Sequence, residues 1–253
     1  MGEIKNLVKK IKQKKELSGI EEAIILDNLK SYLNKNRISL EKLNPNQLKL
    51  VVKDVRSSLR EKVGRFQASA KNRYNLLEKD DIKSLLKTHS STKERIAFYP
   101  QFIEIINKLK AKSILDLGCG INPLALAKPG IKYYASDINL EDLNIVRIFF
   151  QKHKIDGKVF LCDLNKIENC DLPEADLAII LKVFDILGDK EYETAKKVLE
   201  KIKSPHLIAS FSTITLSGKR MHNQRRIWFE KLLNFLLYKF EIVKSDNEIF
   251  YIM

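Results

Sequence analysis

Residues 113–120, Ser-Ile-Leu-Asp-Leu-Gly-Cys-Gly, join a short apolar run, a carboxylate (Asp116) and a Gly-x-Gly turn. A buried parallel strand reads this way. Gly118 and Gly120 let the backbone turn sharply and approach a ligand where a Cβ would intrude. At the switch point of an open α/β sheet, such a turn receives a nucleotide-like cofactor. The dinucleotide fingerprint asks for a third glycine at position 123, where this chain has Pro123. Asp137 ends the next apolar run, about 20 residues past the turn, where a carboxylate can accept both hydroxyls of a ribose. Capping of the following helix, together with Asn139, is the alternative use of Asp137. Asp163 and Leu164 close the third run, 158–162, although an aspartate is common in any loop. Lys182 finishes the run 176–182, and a lysine there either faces a pocket or snorkels to the surface.

These groups meet only if a sheet brings the strand ends together. Strands are expected at 113–117, 131–136, 158–162, 176–182, 206–212, 240–244 and 248–252, the last two joined by a hairpin at Asp246 and Asn247. Helices are expected at 94–110, 140–153, 190–202 and 223–238. That alternation predicts an α/β fold with a doubly wound, mainly parallel sheet. The first 88 residues differ. Apolar residues recur there at helical spacing, as in Ile20, Ile24, Leu29 and Leu33, or Leu48, Val51, Val52, Val55 and Leu59. Breaks fall near 17–19, 34–37 and 43–46, with Pro45 suited to open a helix. The expected organisation is an all-α domain over 1–88 and a cofactor domain over 89–253.

The chain of 253 residues carries a formal charge of +14. Residues 1–90 hold 21 Lys and Arg against 11 Asp and Glu, so +10 of that charge lies in the first third. Such a field attracts nucleic acid, whereas a lysine-rich composition without a specific partner is the plainer explanation. Cys119, Cys162 and Cys170 form no Cys-x-x-Cys pair. No zinc site is expected, and Cys119 and Cys162 read as small packing residues of a reducing compartment rather than nucleophiles. No apolar run approaches the ~20 residues of a membrane span, so a cytoplasmic protein is expected.

The wording Leu-Asp-Leu-Gly-Cys-Gly resembles the first motif of the class I S-adenosylmethionine (SAM) methyltransferases. That resemblance implies a Rossmann-like seven-stranded sheet whose last strand runs antiparallel. It also implies that Asp116 orders the loop beneath the turn and that Asp163 and Leu164 meet the adenine. Lys182 would then stand at a catalytic or substrate-facing strand end.

Further segments are His-Ser-Ser-Thr-Lys-Glu-Arg (89–95), Gly-Ile-Asn-Pro-Leu (120–124), Ser-Phe-Ser-Thr-Ile-Thr-Leu-Ser-Gly-Lys-Arg (210–220) and Asn-Glu-Ile-Phe-Tyr (247–251). Together they resemble the aminoglycoside-resistance 16S rRNA methyltransferases that modify guanine N7 in the decoding site. The resemblance implies SAM as cofactor, 16S rRNA within the 30S subunit as partner, and a monomer without metal. Arg95 would reach the carboxylate of SAM, Gly118 and Gly120 its methionine end, and Asp137 its ribose. Ser212, Lys219, Arg220, His222, Arg225 and Arg226 would flank the target RNA. A capping box from Ser91 and Glu94, and a solvated basic helix start for Arg225 and Arg226, are the local alternatives. Phe184, Phe211 and Trp228 suit either base stacking or the core. This sequence departs from the family in its target-facing loop, with Ser212 where the family has proline. Competing readings are a SAM methyltransferase of another RNA, a small molecule or a protein, and an inactive RNA-binding homologue.

Overall fold

A computed structural model describes residues 2–62, 72–187, 191–215 and 218–253. Seven strands form one sheet: β1 (Ser113–Leu117), β2 (Lys132–Asp137), β3 (Gly157–Leu161), β4 (Leu177–Leu181), β5 (His206–Ser212), β6 (Glu241–Lys244) and β7 (Glu248–Ile252). Their order is β3-β2-β1-β4-β5-β7-β6. The pairs from β3 to β5 are parallel, and β7 runs antiparallel to both its neighbours. The order reverses beside β1, which leaves a crevice at the carboxyl ends of β1 and β4.

Alternation along β1 sorts its side chains to two buried faces. Ile114 packs with Tyr133, Ile179 and Phe250 on one side. Leu115 and Leu117 pack with Ile180, Phe211 and Tyr251 on the other. Helices α7 (Tyr99–Lys108), α8 (Pro123–Leu126) and α9 (Leu140–Lys152) cover the first face, joined by α4 (Arg73–Glu78) and α5 (Ile82–Leu86) through Leu77, Leu85 and Leu86. Helices α10 (Glu191–Lys201) and α11 (Ile227–Phe235) cover the second.

A separate core, from Leu7 to Leu59, holds α1 (Gly2–Lys12), α2 (Glu22–Lys35) and α3 (Pro45–Lys62) together. Pro45 opens α3 as its fixed φ suggests. Val63, which continues the apolar spacing of Val52, Val55 and Leu59, lies outside the described residues.

The expected helix over 94–110 is two helices, α6 (Ser90–Arg95) and α7. Pro100 explains the break, since it supplies no N–H to a continuous helix but is tolerated in the first turn of a new one. The helix expected over 223–238 spans Ile227–Phe235 instead, and the backbone N–H of the preceding Arg226 donates to the Tyr251 hydroxyl at 2.9 Å. The reading of Cys162 as a packing thiol is corrected: it forms a disulfide with Cys170 across a turn, with Cα atoms 5.6 Å apart. They lie eight positions apart in the sequence, and the 3-10 turn Leu164–Asn169 folds the chain back on itself. Cys119 is the buried free thiol.

Candidate active site

The turn after β1 carries Gly118 at φ +69° and Gly120 at φ +50°, the left-handed region that glycine enters without penalty. A Cβ on Gly118 would lie 2.6 Å from Val183 Cγ2, and one on Gly120 would lie 2.8 Å from His89 Nε2. Both glycines border a cleft with about 690 Å³ of empty space, counted out to its open mouth. Its polar wall includes His89, Asp137, Asp163 and Lys182, and its apolar wall includes Leu164, Leu181, Val183 and Ile186.

Asp137 is half-buried at the end of β2. Its Oδ2 accepts the Gly120 N–H at 2.8 Å and its Oδ1 the Asn139 N–H at 2.9 Å. Capping of α9 falls to Asn139, whose Oδ1 accepts the N–H groups of Glu141 and Asp142. Asp137 therefore ties the glycine turn to the next loop. Burial pushes its carboxyl up to about 6, with the negative charge of Asp142 adding to the effect. Asp116 is fully buried beneath the turn and accepts from Asn122 Nδ2 at 2.9 Å and the Tyr133 hydroxyl at 2.7 Å. Burial outweighs these bonds and pushes it up to about 6 as well. Asp163 borders the cleft while its Oδ1 accepts the Asn165 N–H at 3.0 Å, and the buried Leu164 follows it.

A charge cluster forms the floor. Lys182 sits at φ +58°, where its N–H donates to the Ser210 carbonyl at 3.0 Å. It does not snorkel. Its side chain is 6% exposed, and Nζ lies 2.6 Å from Glu94 Oε2 and 3.5 Å from Glu248 Oε2. Arg95 is buried against Glu248 in a two-pronged pair of 3.1 and 2.7 Å, and a third N–H reaches Asn122 Oδ1 at 3.3 Å. Arg95 thus stands behind the cleft wall rather than on it. Burial raises the Glu248 carboxyl, yet Arg95 and Lys182 together hold it below the usual carboxylate range. His89 is pushed down to about 3 by burial and by the nearby Arg73, Arg95 and Lys182 charges, so it is neutral near pH 7.

The capping box expected of Ser91 and Glu94 does not form. Helix α6 starts at Ser90 with His89 as its N-cap, Ser91 Oγ lies 3.3 Å from His89 Nδ1, and Glu94 binds Lys182. A second cleft shares Ser91, Lys182 and Ile186 with the first and extends to Ser212, Gly218 and Arg226. Arg226 binds Asp185 through two bonds of 3.0 and 2.9 Å, donates to the Ser212 carbonyl and lies 5.4 Å from the Phe211 ring centroid. Arg225 pairs with Glu230, while Lys219, Arg220 and His222 are exposed. Phe184 and Phe211 are core residues, and Trp228 packs edge-on against Phe211.

His89, Glu94 and Glu248 did not emerge as site residues from the sequence. A glutamate opening the apolar run 248–252 signals a buried acid that needs a cation, but no local pattern says which cation.

A seven-stranded sheet with one reversed strand, a Gly-x-Gly turn after β1 and a carboxylate ending β2 is the class I methyltransferase form of the α/β fold. Solved structures share it. The 16S rRNA methyltransferase RmtF, crystallised with S-adenosyl-L-homocysteine, superposes with a TM-score of 0.80 at 21% identity, covering 98% of this chain and 96% of that one. The 16S rRNA methylase RmtB gives 0.74 at 23% identity, covering 98% and 97%. The chain belongs to the family described as Ribosomal RNA methyltransferase (FmrO), whose profile matches residues 33–252. A 16S rRNA (guanine(1405)-N(7))-methyltransferase of Serratia marcescens is 31% identical over 160 residues, which are 61% of this chain. The match spans 62% of that relative's length.

Proposed function

We propose that this chain uses SAM to methylate N7 of a decoding-site guanine in 16S rRNA of the 30S subunit. The observation that supports the cofactor is the cleft itself, bordered by Gly118 and Gly120, by the Asp137 carboxylate and by the apolar side chains of Leu164, Leu181, Val183 and Ile186. This donor set suits a nucleoside with an extended polar tail. Asp137 would accept the ribose hydroxyls, Asp163 and Leu164 would hold the adenine, and Gly118 and Gly120 would line the methionine end. Arg95 and Asp116 would fix that end from behind. When bound, SAM supplies an electrophilic methyl group.

Guanine N7 offers a free lone pair, so none of these residues has to remove a proton. The neutral His89 and the paired Lys182 suit a site that works by holding reactants in line and excluding water. The second cleft, bounded by Ser212 and Arg226, would admit the base, with Lys219, Arg220, His222 and Arg225 facing the surrounding RNA. The basic helical unit would grip the rRNA backbone. The guanine target rests on the names of the relatives. A cytoplasmic monomer completes the reading, and no helix among the described residues is long and apolar enough to cross a membrane.

Tritiated SAM with purified 30S subunits, followed by borohydride–aniline cleavage and primer extension, tests this. One stop at a decoding-site guanine supports it; label in RNA without that stop refutes the N7 assignment, and no label refutes the substrate.

A further inference from the structure

The loops that carry Asp137 and Asp163 do not stand alone. Both are held from outside the sheet by the helical unit. The Leu140 N–H donates to the Gly19 carbonyl at 2.8 Å, and Ile20 forms an antiparallel bridge with Asn139. Ile20 is fully buried in the core of the helical unit. Ile138 packs against that same core while bordering the cofactor cleft. The contact therefore runs from residues 19–21 to residues 138–140, and Asn139 passes it on to Asp137 through its N–H bond of 2.9 Å.

Gly19 permits this approach. A Cβ there would overlap Asn139 Oδ1 and come within 2.9 Å of Glu141 Cβ. Asn139 Oδ1 already caps α9 by accepting from Glu141 and Asp142, so displacing it disturbs the helix start and the Asp137 loop together. A second contact lies at the next loop. Lys166, in the 3-10 turn that Asp163 opens, is paired with Asp27 of α2. Two separate elements of the helical unit thus touch the two loops that end β2 and β3.

We infer that Gly19 and Asp27 are positioning residues for the cofactor cleft, the helical unit setting the geometry of Asp137 and Asp163 as well as any grip on RNA. This rests on the reading of the cleft as a SAM site. Neither residue borders the cleft; each acts through a loop that does.

The test uses the full chain, with S-adenosylhomocysteine as the calorimetric probe and hydrogen exchange at the Leu140 amide as a second readout. Gly19→Val is expected to weaken binding about tenfold, the scale of a lost helix cap, and to speed exchange at Leu140. Asp27→Lys sets two lysines together and should weaken binding roughly two- to fivefold, as an exposed pair allows. The swap Asp27→Lys/Lys166→Asp should return affinity to about the wild-type value, a rescue that general destabilisation would not show. If Gly19→Val fails to fold, the charge swap decides alone, since both of its side chains are substantially exposed. Wild-type binding with all folded variants within about 1.5-fold overturns the inference and leaves the cleft reading intact. Absence of wild-type binding overturns the cleft reading, and the inference with it.

Discussion

Replacing Glu248 by Gln removes one charge from the most buried ionic group of the site. Glu248 is fully buried, Arg95 is 1% exposed, and Lys182 is nearly so enclosed. The carboxylate holds Arg95 by two bonds, accepts from the Ser210 hydroxyl and lies 3.5 Å from Lys182. Gln keeps the volume and one acceptor but leaves Arg95 without its counter-charge. Removing one partner of a buried pair costs about 3–5 kcal/mol. The retained carbonyl and the Glu94 contact to Lys182 favour the lower end of that range. A loss near 3 kcal/mol lowers Tm by roughly 6–12 °C in a chain of this length.

Urea and thermal unfolding, followed by circular dichroism and Trp228 fluorescence, would read the change. The sign with pH is fixed. The folded carboxyl is held below its ordinary range, so its stabilisation is present above the unfolded value and disappears as pH falls through the folded value. Wild type and variant should therefore converge in acid. Arg95→Met/Glu248→Gln should be less damaging than the sum of its parts, because the orphaned cation goes with its partner. A loss below about 1 kcal/mol for Glu248→Gln would refute the assignment of this cluster as the anchor of the cleft floor.

Asp137 leads to a test in pH. With its carboxyl pushed up to about 6, the form that accepts ribose hydroxyls is lost as pH falls, and S-adenosylhomocysteine should bind roughly tenfold more weakly at pH 5 than at pH 7.5. Asp137→Asn should bind about tenfold more weakly at pH 7.5 and lose that slope; a slope retained in calorimetry would assign it to another group such as Asp116. Gly118→Ala should cost about 1–2 kcal/mol in denaturant unfolding, from its positive φ and the overlap with Val183. Cys170→Ser should lower stability by about 2 kcal/mol without reductant, the expectation for closing so short a loop, and by nothing measurable against reduced wild type.

Features whose cause lies within a few residues were legible before folding was considered. The apolar run 113–117 forms β1, Gly118 and Gly120 take positive φ, and Asp137 ends β2 beside them. Strand period, glycine freedom and the length of a β/α unit are local properties, so the cofactor turn and the order of elements could be read directly. How the charges pair depends on long-range packing. Arg95 meets Glu248 across 153 residues, and Glu94 leaves its expected cap for Lys182 across 88. Arg226 turns inward to Asp185, and Gly19 closes on Asn139. Each of these depends on which distant cation, acid or backbone group folding brings within about 3 Å, and a buried charge takes whichever partner it finds there. A local pattern can show that such a partner is needed; only the packed sheet and helices select it.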